Sequence, residues 1–63
     1  MRRYTLIHAD GSKDKNLTAE EVVETVNQRY CAEITVADIT MIEPWSYLVV
    51  VEDGRDALKI QPN

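Results

Sequence analysis

YLVVVEDGRDALKI, residues 47–60, is the stretch whose reading decides the fold. Asp53-Gly54 is a strong two-residue hairpin signal, because a type I′ turn needs positive φ at both central positions. With the turn fixed there, Glu52 faces Arg55, a favourable cross-strand charge pair. Counting outward without interruption sets Val51 against Asp56, Val50 against Ala57, Val49 against Leu58, Leu48 against Lys59 and Tyr47 against Ile60. Side chains alternate across a strand. One face therefore carries Tyr47, Val49, Leu58 and Ile60, the predicted core face. The other carries Leu48, Val50, Ala57 and Lys59, with Lys59 suited to an edge strand that Pro62 ends. Tyr47–Val51 has no polar break, so the second face also asks for a cover.

Upstream, "LTAEEVVETVNQRYC" (17–31) reads as the helix. Thr18 followed by Glu21 is a capping box, in which each side chain satisfies a backbone donor left over at the helix start. Glu20 and Glu21 suit the positive end of the helix dipole, and Arg29 suits the other. Ala19, Val22, Val23, Val26 and Tyr30 form one stripe of a 3.6-residue period, with Glu20, Glu24, Asn27 and Gln28 outward. Cys31 then reads as a small buried hydrophobe. "RRYTLIH" (2–8) has the composition of a strand, with Tyr4, Leu6 and His8 on one face and Arg3, Thr5 and Ile7 on the other. "ADGSKDKN" (9–16) is loop chemistry. "AEITVADITMI" (32–42) is ambiguous between one long strand and a turn capped at Thr35-Val-Ala-Asp38 before a shorter strand, Ile39–Ile42. The second version is preferred, with Pro44 closing the strand.

These elements predict an α+β fold: a single domain over residues 1–63, β-α-β-β-β, with one amphipathic helix packed on a mostly antiparallel sheet of three to four strands. A right-handed crossover would set the first strand parallel to the second. One helix covers one face only. Leu48, Val50 and Ile7 are then expected on the uncovered side, with Met41 joining them if the register across Pro44 allows. Trp45 beside Pro44 reads either as a plug on the end of the core or as an interface residue. The uncovered face is closed by the 9–16 loop or a chain end, by a second copy packed face to face or edge to edge, or by a different macromolecule.

Composition narrows the function. At 63 residues the chain is near the lower limit for folding alone, and its single cysteine forbids an internal disulfide. His8 and Cys31 offer little for a metal site, and no cofactor or small-molecule substrate is implied. No apolar leader follows Met-Arg-Arg-Tyr and no run approaches a membrane span, which predicts a reduced, cytoplasmic protein with no membrane partner. Eleven acids against seven bases give a net charge of -4, which argues against general nucleic-acid binding. A local patch of Arg2, Arg3, Lys13 and Lys15, with Tyr4 or Trp45 for base stacking, remains as the alternative. His8 and Asp10 share a strand face and Cys31 could approach them, but a nucleophile needs an enclosing pocket, and catalysis is not expected. Gly11 and Gly54 are isolated turn glycines, not a phosphate loop. The reading is a small acidic interaction or regulatory protein of the bacterial or phage accessory kind. It docks on another protein, and on itself as a homodimer, through Leu48, Val50, Trp45, Met41 and Ile7.

Overall fold

The computed structural model describes residues 2–63. In chain order the elements are β1 (Tyr4–His8), β2 (Lys13–Leu17), α1 (Ala19–Tyr30), α2 (Val36–Thr40), β3 (Leu48–Glu52) and β4 (Arg55–Pro62). The four strands form one sheet in the order β2-β1-β4-β3, every neighbouring pair antiparallel. The α+β class, with a main helix on an antiparallel sheet, is as expected. The second strand, however, lies before α1 and not after it, so no parallel crossover forms.

The turn after β1 explains that difference. The Asp10 carboxylate accepts from the backbone N–H of Ser12 at 2.9 Å and from its hydroxyl at 2.7 Å, while Gly11 takes a φ of 92°. His8 N–H donates to the Ser12 carbonyl at 2.9 Å and closes the reversal. "KDKNL" has little apolar content, and its first four residues fall in the 9–16 stretch read as loop, with Leu17 in the helix stretch. Its strand character comes from backbone pairing with β1, which composition does not report. Asn16, at a φ of 64°, sits where the β1–β2 register slips.

Helix α1 forms as its signals predict. Glu21 Oε1 accepts from Thr18 N–H at 2.9 Å and Thr18 Oγ1 accepts from Glu21 N–H at 3.2 Å. Ala19, Val22 and Val26 are buried, and Val23 and Tyr30 pack beside them. Two details differ from expectation. Cys31 is exposed, in the left-handed conformation that ends the helix. Asn27 is a tether: its amide donates to the Ile34 carbonyl and its oxygen accepts from Ile34 N–H, both at 3.0 Å.

The Thr18 hydrogen bonds to Glu21, backbone first, hold this carboxyl below the usual glutamate range, with Arg3 a lesser cause. A depressed folded pKa stabilises fully above the unfolded value of about 4.3 and the contribution is lost as pH falls through the folded one. Glu21→Gln keeps an acceptor but not the titration. It should therefore destabilise at neutral pH and converge with the parent as pH falls below the folded value, as read by urea unfolding across an acid series. A gap that stays constant would place the stabilisation elsewhere.

The chain over 35–42 follows half of the expected reading. Thr35 and Asp38 form a second reciprocal capping box. Beyond it the backbone stays helical instead of extending. Ile39 and Ile42, three apart, both reach the core only in that conformation.

The hairpin carries the main correction. Asp53 (φ 54°) and Gly54 (φ 75°) make the turn, and Glu52 opposes Arg55 and Val51 opposes Asp56 as counted. Between Val51 and Val50 the register shifts, so that Val50 opposes Leu58, Val49 opposes Lys59 and Leu48 opposes Ile60. Ala57 is the extra residue of a bulge, its carbonyl accepting from Ala9 N–H at 3.1 Å. One extra residue exchanges the two faces of the outer strand. Leu48 and Val50 therefore pack against the core on the helix side, and Val49 takes the uncovered face. Tyr47, expected in the core, is exposed. Lys59 is on an inner strand, not an edge.

Candidate docking edge

The uncovered face poses less of a problem than the sequence suggests. Lys13, Ile7, Lys59 and Val49 form one cross-strand row over it, so lysines alternate with the apolar groups. Lysine stems cover apolar neighbours while their ammonium groups stay in water. Lys59 Nζ also stands 4.4 Å from the centroid of the Tyr47 ring. A face-to-face dimer built on Leu48 and Val50 loses its basis, because neither residue is on that face.

The exposed large hydrophobic side chains are Val36, at the start of α2, and four that lie in or just before the outer strand β3. Met41 is 77% exposed at the end of α2, Trp45 80%, Tyr47 53% and Val51 60%. Ser46 N–H donates to the Glu43 carbonyl at 2.9 Å, closing a turn with Pro44 and Trp45 in the middle, so Trp45 projects from a turn and does not plug the core. A groove of about 310 Å³ runs between α2 and β3, lined by Ile34, Asp38, Met41, Leu48, Val49 and Val50. A neighbouring hollow extends it past Ile42, Glu43, Ser46 and Tyr47.

The two sheet edges are built differently. β2 presents Lys13, Asp14, Lys15 and Asn16, a charged strand that discourages pairing with other chains. β3 presents Leu48, Val49, Val50 and Val51, and among the described residues no strand pairs with its outer side. Of the residues expected at a protein interface, Met41 and Trp45 are exposed at this edge. Leu48 and Val50 line its groove from the helix side. Ile7 is away from it, on the lysine-covered face. Val51 and Ile34 belong to the edge and were missed; only the bulge at Ala57 could have pointed to Val51.

The alternative nucleic-acid residues do not gather. Tyr4 is 1% exposed in the core and has no face to offer a base. Arg2 donates to the Ile42 carbonyl at 2.6 Å, and Arg3 lies 4.0 Å from Glu21. Lys13 and Lys15 stand on β2, at the other side of the molecule from Trp45's edge strand.

A second cluster is polar and buried. His8 is 4% exposed, and its Nε2 lies 2.8 Å from Asp14 Oδ2 and its Nδ1 2.6 Å from Tyr30 Oη. With Nε2–H donating to Asp14, Nδ1 accepts from the tyrosine hydroxyl. Asp10, the acid expected beside His8, is turned to Ser12 instead. The Ser12 hydroxyl, then the Ser12 backbone N–H, hold its carboxyl below the usual aspartate range. Neither Asp14 nor Tyr30 was foreseen, since the β1–β2 reversal and the last turn of α1 bring them in. Among the described residues no group of three His, Cys, Asp or Glu lies close enough to hold a metal ion. None of the helices is long and apolar enough to cross a membrane.

Comparison with known proteins finds no matching family model, curated relative or solved structure.

Proposed function

We propose that this chain is a protein-docking module, acting by occupancy and not by catalysis, and that β3 with the Met41–Trp45–Tyr47 flank is its contact surface. The contrast between the two sheet edges carries the reading: β2 is charged along its length, while β3 is apolar and open beside four exposed large hydrophobic side chains. Exposed apolar groups of this size along one strand and its flank suit a contact surface, and tryptophan and tyrosine are the residues that most often dominate such surfaces. The buried histidine supports the non-catalytic half of the proposal. It is 4% exposed and its two ring nitrogens face Asp14 and Tyr30, so a molecule docked on the surface does not reach it.

Site-specific photocrosslinking in the source cell tests this. A photoreactive phenylalanine analogue in place of Trp45 or Val51 should trap a discrete protein partner, and the same group in place of Glu24, on the outer face of α1, should not. A Met41→Ser/Trp45→Ser chain should keep its melting temperature and fail to compete for the partner. Equal trapping from Glu24, or undiminished competition by the double variant, would remove the edge from the proposal.

A further inference from the structure

Resting on that docking reading, we infer that the occupant of the β3 edge is an extended segment of another protein, apolar in its middle and lysine- or arginine-flanked, which adds to the sheet as a fifth strand. Backbone geometry sets the first part. A sheet edge leaves every second residue's N–H and C=O pointing outward, and a strand satisfies them in register where a helix cannot. The α2–β3 groove then supplies depth on one side, where Ile34, Leu48 and Val50 meet alternate side chains of an added strand.

Charge sets the second part. Two of the hollows that touch β3 contain the carboxylates of Asp38 and Glu43 and no lysine or arginine in their lining, while a third, over Val49, has Lys59 and Asp56. At the other end of the strand stand Glu52 and Asp53, with Arg55 across from Glu52. Lys59 is one strand inward, over Tyr47 on the opposite face. Arg2, donating to the Ile42 carbonyl, is the cation at the first end, against Asp38 and Glu43, so the edge carries an excess of acid at both ends with an apolar middle, which complements an apolar strand with basic flanks.

The same charges act against a second copy of this chain. Antiparallel self-pairing centred on Val50 would set Glu52 of each copy against Leu48 of the other. That position adjoins the groove that Asp38 already lines, and symmetry doubles the conflict.

Two synthetic peptides decide the matter: Lys-Lys-Thr-Val-Tyr-Val-Thr-Lys-Lys, and its counterpart with the four lysines replaced by glutamate. Amide hydrogen exchange over residues 48–52 is the readout, with affinity from chemical-shift titration at low and high salt. The basic peptide should protect the β3 amides and bind about tenfold more tightly than the acidic one, with the preference shrinking as salt rises. In a Glu43→Lys/Glu52→Lys chain the preference should reverse. Equal binding of both peptides overturns the basic partner while leaving the docking edge standing. Protection that grows with the chain's own concentration, without peptide, assigns the edge to a second copy and overturns the inference as well. No protection of β3 under any of these conditions overturns both the inference and the docking edge.

Discussion

His8→Ala should cost about 2–4 kcal/mol of folding stability, a large share of the roughly 3–9 kcal/mol that a domain of this size has. Three elements meet at this side chain: β1 carries it, Asp14 comes from β2 and Tyr30 from the end of α1. Removing the imidazole empties a buried volume and strands two partners at once. The partners contribute the smaller part, because the Asp14 side chain is half exposed and can turn to water. Tyr30→Phe isolates the hydroxyl and should cost about 1 kcal/mol, by leaving Nδ1 without its donor. Asp14→Asn keeps an acceptor for Nε2–H and should cost less still. In a double-mutant cycle His8 and Tyr30 should couple by about 1 kcal/mol, read from urea unfolding of the four chains. A His8→Ala chain as stable as its parent would show that the ring only fills space that the core can reclaim.

That cluster also shows where sequence reasoning stops. Capping boxes are legible because their chemistry is local: Thr18 with Glu21 and Thr35 with Asp38 are each three residues apart, and both formed. The stripe of α1 and the Asp-Gly turn are legible for the same reason. The bulge at Ala57 is not, because its partner is distant in sequence: the Ala57 carbonyl accepts from the N–H of Ala9, just beyond β1. A single unpaired residue then reversed the inward and outward assignment of Leu48, Val49 and Val50. The candidate surface accordingly moved from the face of the sheet to its edge, while Met41 and Trp45 stayed in it. β2 escaped for a related reason. Its sequence is polar on both faces, and what makes it a strand is the partner lying beside it.

Ile39→Ala tests which force holds α2, one wall of the α2–β3 groove, and it should destabilise the fold by about 2–5 kcal/mol. Helix α2 has five residues, far too few to persist by propensity alone. Alanine is the better helix former, and on propensity the substitution should help by at most about 0.7 kcal/mol. Ile39 is fully buried, however, and its removal opens a cavity in the core it shares with α1 and the sheet. The packing loss exceeds the propensity gain several-fold, so a net loss is expected in urea unfolding, and an unchanged or raised midpoint would show that α2 stands by its capping box. Trp45→Ser, a few residues on, should shift stability by no more than about 0.5 kcal/mol, since its side chain is solvated already. The pair separates two kinds of large apolar residue in one short segment. Ile39 is part of the buried core, and Trp45 is solvated, as the proposed docking surface requires.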